Sequence, residues 1–245
     1  MEWLLAPLDA TRPHDVGFAV AWHARFMVLA WAILAPLAVL IARFYKVLPG
    51  QDWPRVLDSR LWWRTHLIGQ IAAGVLTIVA LVLIWPVRGE SVSIHGILGY
   101  GVLSGLVAQV LLGIFRGSKG GPTEVAYGRS IHGDHYDMTR HRLMFEWCHK
   151  IIGYTTLALA IVAILAGLWH ANGPRWMALV LVAWWIFLIG WGIRLQKSGR
   201  MVTTYHAIWG NDPAHPGNCI VPRPRRLPRT RKVIKVKEGR DVRRH

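Results

Sequence analysis

The amino-acid sequence predicts an all-α integral membrane protein with five transmembrane helices, four forming a core and one lying at its edge. Three observations point there. Just over half of the 245 residues, 53%, are apolar, and mean hydropathy is positive at +0.31. The apolar residues are gathered into long blocks rather than dispersed as in a water-soluble core. Five blocks (26–42, 67–87, 96–115, 151–169 and 176–193) approach the ~20 residues a helix needs to cross a bilayer.

Taken in order, the opening segment MEWLLAPLDATRPHDVG lacks the basic start and apolar centre of a cleavable signal peptide, so the first helix is expected to direct insertion itself. The first and fourth helices are extended at their N-termini by mixed segments holding Trp, Phe, His and Arg, which suit a membrane interface. Short turns, one around Arg88 and Glu90 and one in HANGPR, join the second helix to the third and the fourth to the fifth, so successive helices are expected side by side and antiparallel. The loop 116–142 is rich in Gly and His and long enough to fold over one mouth of the bundle. Segment 196–222 contains TTYHAIWGNDPAHPGN, a turn-forming stretch with aromatics that suit the same mouth. The expected organisation is an N-terminal segment 1–17, a transmembrane domain 18–195 and a basic C-terminal tail 196–245.

An odd number of helices puts the termini on opposite sides, the N-terminus on side A and the C-terminus on side B. Side A loops hold Arg12, Arg88 and Arg175. Side B loops hold Arg43, Lys46, Arg55, Arg60 and Arg64, then Arg116, Lys119, Arg129, Arg140 and Arg142. The Lys/Arg excess makes side B cytoplasmic and side A the outer face. Of the net charge of +16, residues 223–245 supply a concentrated share, a run that reads as solvated or as lying on anionic lipid. No recognition fold accompanies it, so a nucleic-acid partner is not expected. Cys148 and Cys219 form no C-x-x-C pairing, which argues against a disulfide scaffold, thiolate metal sites and covalently attached haem.

Four of the twelve histidines fall inside the membrane helices: His23, His66, His95 and His149. Each lies within about two turns of the N-terminal end of its helix, on the first, second, third and fourth helices. Because the helices alternate in direction, His23 and His95 share the side A level, and His66 and His149 share the side B level. In a four-helix bundle these are the two diagonals. Two imidazoles facing across a diagonal at one depth are the requirement of bis-histidyl haem ligation, so the core reads as a di-haem bundle. The structural alternative, a helix-bridging hydrogen bond, suits any one intramembrane histidine but explains four at matched depths poorly. Small residues beside the ligands leave room for a flat macrocycle: Gly69 and Ala73 after His66, Gly96 and Gly99 after His95, Gly153 and Ala160 after His149. His23 has no adjacent glycine. Candidate partners for haem propionates are Arg25 on side A and Arg64, Arg142 or Lys150 on side B, each of which equally suits snorkelling to headgroups.

The segments HARFMVLAWAILAPLAVLIARFYK, WWRTHLIGQ, HGILGYGVLSGLVAQVLLGIFR and FEWCHKIIGYTTLALAIVAILAGL resemble the core helices of the cytochrome b561 family, in its bacterial and DOMON-associated branch. The resemblance covers roughly residues 20–195. It implies two non-covalent b haems, with His23/His95 and His66/His149 as iron ligands, and transmembrane electron transfer of oxidoreductase type. With each pair some 5–8 Å inside a ~30 Å hydrocarbon core, the irons are expected ~15–20 Å apart. The donor and acceptor are left open among a quinol, an ascorbate-like reductant, a ferric chelate, a cytochrome and a protein redox partner. The basic rim of Arg43, Lys46, Arg60 and Arg64 suits either an anionic substrate or topology alone. Gln109, fourteen residues after His95, suits a bond to a haem edge, to a ligand or to another helix. The cluster HGDHYDMTRH, with His132, His135 and His141, suits a loop metal site. Two alternatives stand beside electron transfer: a haem-bearing anchor subunit of a larger redox complex, and a metal-ion transporter using the intramembrane histidines.

Overall fold

The computed structural model describes residues 1–87, 89, 93–120 and 133–221. Among these residues the chain is helical and contains five helices long and apolar enough to cross a membrane. After a short α1 (Glu2–Leu5) come α2 (Phe18–Phe44), α3 (Arg60–Val87, its last turn a 3-10 helix), α4 (Ile94–Ile114), a short α5 (Asp134–Asp137), α6 (Arg140–His170), α7 (Arg175–Lys197) and a short α8 (Thr204–Trp209). This is the five-helix membrane fold expected from the apolar blocks. The spans run longer at their N-termini than the blocks alone, including α3, whose Ser59 side chain accepts the Leu61 N–H as an N-cap. Ser93 and Thr139 cap α4 and α6 in the same way. The large side chains turned outward are apolar, for example Ile68, Val82, Ile114 and Ile186, as a lipid-facing surface requires.

α2 is the irregular member. Residues Leu29–Leu34 form a π-helical turn just ahead of Pro36. Proline has no N–H to give the carbonyl four residues back, and the Ala32 carbonyl instead accepts the indole N–H of Trp184 on α7 at 2.7 Å. This bond, together with packing of Ala32 against Trp185 and Leu188, seats α7 on the outside of α2.

Close packing runs along α2 and α3, and along α4 and α6, with a lesser contact between α2 and α6; α3 and α4 make no comparable contact. The core is therefore two antiparallel pairs set side by side, with α2/α4 and α3/α6 as diagonals. Small side chains let the members of a pair approach closely: a Cβ on Gly69 of α3 would stand 2.8 Å from that of Ala38 on α2. Midway through the membrane lies a tight cluster of Ala30, Trp31, Ala35, Ala73, Val102, Ala160 and Ala163. Its polar atoms are satisfied internally, with Trp31 Nε1 donating to Thr77 Oγ1 at 3.0 Å and that hydroxyl donating to the Ala73 carbonyl at 2.7 Å.

On side B the helices end in a folded cap. Val47 and Trp53 of the α2–α3 loop pack with Val202 and Ala207. The Tyr205 hydroxyl donates to the Tyr136 carbonyl at 3.1 Å and accepts from Gly217 N at 3.0 Å. Residues 199–221 thus bridge the loops on both sides of the bundle mouth. On side A, Asn172 in the α6–α7 turn binds the backbone of Asp9 and Arg12 and holds the N-terminal segment across that end.

Candidate functional site

The four intramembrane histidines meet in two pairs. On side A the rings of His23 (α2) and His95 (α4) have centroids 6.1 Å apart and planes at 90°. Nδ1 of His23 lies 3.0 Å from the Ala80 carbonyl of α3, and Nδ1 of His95 lies 2.9 Å from the Ala163 carbonyl of α6. A carbonyl only accepts, so each Nδ1 carries the hydrogen and each Nε2 keeps a lone pair free for a metal. The neighbouring helix sets the aim of each ring.

On side B, His66 (α3) and His149 (α6) have centroids 6.0 Å apart and planes at 79°. The His66 ring faces the backbone of Ala38 on α2 without a close hydrogen bond, and Nδ1 of His149 is buried without one among the described residues. Packing takes that role for His149, whose ring stacks on Phe145 at 5.4 Å and 23°. Gln109 of α4 donates to the backbone carbonyl of His149 at 2.9 Å. Of the roles open to Gln109, the structure shows the helix-to-helix bond, made at His149 itself.

A common spacing organises both levels. On α3, Ala80 serves the side A pair and lies fourteen residues beyond His66; on α6, Ala163 lies fourteen beyond His149; on α4, Gln109 serves the side B pair and lies fourteen beyond His95. Fourteen residues are nearly four turns, so one face of each helix serves both levels, about 21 Å apart along the helices.

The gaps suit one metal atom each. An imidazole nitrogen binds a first-row metal at about 2 Å and sits about 1.1 Å from its ring centre, which puts two trans rings about 6 Å apart. Two nitrogens do not complete a coordination sphere, and among the described residues no three His, Cys, Asp or Glu groups come together. The arrangement fits a metal that brings its own equatorial ligands. A Cβ on Gly99, one turn after His95, would meet nothing within 4 Å, so the space beside that ring is open. Other small residues serve packing instead: Gly69 meets Ala38, Gly153 meets Gln109, and Ala73 and Ala160 belong to the central cluster. Sequence reasoning missed Gly167, whose missing side chain makes the seat of the His95 ring. The available signal was its position eighteen residues after His149, five full turns along the same face.

The cationic candidates are spread out. Arg25 lies over the Trp22 ring at 5.0 Å, exposed and turned from His23. Arg64 is exposed. Arg142 donates to the Arg116 carbonyl at 3.0 Å, and Glu146 receives Lys150 at 2.8 Å. Arg142, Glu146 and His149 form one stripe down α6. Of the basic rim, Arg60 is exposed, Arg43 donates to the Tyr154 hydroxyl at 3.0 Å, and Lys46 is buried beside the Val202 carbonyl. Burial, with repulsion from Lys150, pushes the Lys46 ammonium down to about 7. In the HGDHYDMTRH segment, His141 pairs with Asp134 at 3.2 Å and His135 turns into the cap, while His132 lies outside the described residues.

Residues 22–122 match the family model for eukaryotic cytochrome b561, a stretch that includes His23, His66 and His95. Over that stretch the chain matches the cytochrome b561 family. Cytochrome b561 proteins bind haem b, and the paired imidazoles fit that group. Curated relatives include a putative ferric-chelate reductase 1 of Xenopus laevis, 27% identical over 64% of this chain and 24% of its own. Ferric-chelate reductase 1 of Homo sapiens is 28% identical over 60% of this chain and 22% of its own. A cytochrome b561, DM13 and DOMON domain-containing protein of Arabidopsis thaliana is 29% identical over 66% of this chain and 16% of its own. The chain therefore spans about a quarter or less of the length of these relatives. No solved structure matches.

Proposed function

We propose that this chain carries electrons across the membrane through two b haems, one held by His23 and His95 and the other by His66 and His149. The observation that carries the reading is the pair of ring separations, 6.1 Å and 6.0 Å, at two depths of one apolar bundle. When bound, a haem with two imidazole ligands supplies a one-electron ferric/ferrous couple with no vacant iron position.

The chain's own groups do the rest. The Ala80 and Ala163 carbonyls hold His23 and His95 in the neutral tautomer that presents Nε2. The cluster around Trp31 and Ala73 keeps water out between the levels. A metal-ion transporter would need interrupted helices around an open polar path. The interruption at Pro36 instead has its free Ala32 carbonyl satisfied by Trp184.

The Lys/Arg excess on side B supports a cytoplasmic C-terminal face, in a bacterial inner membrane, with side A periplasmic. The relatives named as ferric-chelate reductases support a ferric chelate as electron acceptor. The test is a reduced-minus-oxidised visible spectrum with haem quantitation, on the wild type and on His66→Ala and His95→Ala. Two haems b per chain are expected, each variant losing chiefly one low-spin centre. A folded wild-type protein that takes up no haem sinks the reading.

A further inference from the structure

The imidazole of His135 is buried in the side B cap, only 2% exposed. Its Nδ1 lies 3.1 Å from the indole nitrogen of Trp209. Indole N–H donates and never accepts, so Nδ1 is the acceptor, and the neutral ring must carry its proton on Nε2. Burial, reinforced by Arg142, pushes the ring's pKa down to about 4, so the neutral form holds at pH 7. Nε2 is buried and meets no acceptor among the described residues. A buried N–H left in that state is a cost that a bound acceptor would remove.

A loose ion pair shares its surroundings. The charges that act most strongly on His135 are those of Arg142 and Glu146. Arg142 Nε and Glu146 Oε1 are themselves buried without a hydrogen bond, although 3.5 Å apart. Arg142, Glu146 and His149 lie at i, i+4 and i+7 on α6, which puts Arg142 about 10 Å nearer the cap than His149. Arg116, Lys119 and Lys150 add positive charge. Two buried N–H donors, one stripe above a histidine pair and among Arg116, Lys119, Arg142 and Lys150 against the carboxylates of Asp134 and Glu146, suit an anion with acceptor oxygens.

We propose that Nε2–H of His135 and Nε–H of Arg142 donate to a carboxylate, a propionate of the haem held at the His66/His149 pair. This rests on the haem reading above and assigns the cap a job: it holds one side of that haem and screens its charge. His135 is then a positioning residue, set in the donating tautomer by Trp209. An unscreened carboxylate favours the ferric state, and a donor offsets that preference.

The test uses the full chain in detergent with redox titration of both haems. His135→Phe removes the donor, while His135→Gln places an amide N–H near the same point. Expected in His135→Phe is at least a threefold rise in the ferric-to-ferrous ratio of the side B haem at fixed ambient potential, with the side A haem unmoved. His135→Gln should stay near wild type. Reconstitution with haem dimethyl ester, whose propionates are blocked, should abolish the difference between wild type and His135→Phe. An unchanged ratio in His135→Phe overturns the proposal. So does an equal shift in both variants, which is a packing effect, or a shift that persists with the ester, which assigns the donors to a soluble anion. If His135→Phe does not fold, Trp209→Phe releases the tautomer and should give a smaller shift in the same direction; no shift there overturns the proposal too. A wild-type chain that holds no haem fails the earlier reading instead.

Discussion

Gly167 of α6 faces the His95 imidazole of α4 so closely that a Cβ there would stand 2.8 Å from Cε1 and 2.9 Å from Nδ1. The same edge of the ring is bonded to the Ala163 carbonyl, one turn earlier on the same helix. Gly167→Ala must push the ring off that carbonyl. Overpacking of this kind costs about 1–3 kcal/mol, and the expected result is loss of the side A haem with the side B haem kept. Haem quantitation with low-spin electron paramagnetic resonance checks it; full retention of both centres would show that the ring has freedom the packing denies it.

Gln109 joins α4 to α6 through the His149 carbonyl. Hydrogen bonds between membrane helices average about 0.6 kcal/mol, so Gln109→Leu should lower the melting temperature slightly and leave two haems in place. A variant that loses its side B haem outright would mean that Gln109 also reaches the haem.

The Ala32 carbonyl, left open by Pro36, and the Trp184 indole form a pair whose coupling is measurable. Trp184→Phe should destabilise the bundle by about 0.5–1.5 kcal/mol. Pro36→Ala restores an N–H for the same carbonyl, so the double variant should recover part of that loss. A double-mutant cycle in unfolding free energy tests it, and strictly additive effects would rule out the coupling.

Lys46 gives the cap a pH dependence with a definite sign. Its folded pKa is about 7 against an ordinary 10.5. Between those values the unfolded chain binds the extra proton, so this residue's contribution to cap stability rises with pH from about 7 and levels off near 10.5. The full window is worth a few kcal/mol at most, at about 1.4 kcal/mol per unit. Lys46→Met should resist proteolysis at the cap better than wild type at pH 6, and that advantage should shrink at pH 10. An advantage that is the same at both pH values would assign the effect to packing.

Much of this architecture was readable before any coordinates. Five apolar blocks became five helices because a chain in lipid has to satisfy its own backbone, and a helix does so within each segment. The facing of His23 with His95 and of His66 with His149 followed from position and alternation: a residue near a helix start has a depth, and neighbouring helices run in opposite directions. The α3 start at Arg60 was less legible, since Trp62, Trp63 and Arg64 are not apolar enough to mark a span and the Ser59 cap decides the boundary. Arg25 shows the same limit on a side chain; its distance from His23 in sequence is short, but two residues along a helix point it elsewhere.

By itself, then, the sequence determined the helix count, the sides on which the charges gather and the depth of each histidine, because a bilayer turns composition and order along the chain directly into position. Only the tertiary structure decided which backbone carbonyls orient Nδ1, which glycine makes room for a ring, and how residues 199–221 fold against the α2–α3 loop to bury His135. Backbone acceptors are alike at every position, and a seat between helices exists only once their rotation and separation are set. Those depend on many small side chains meeting at once, as Gly69 meets Ala38, and no single residue announces them.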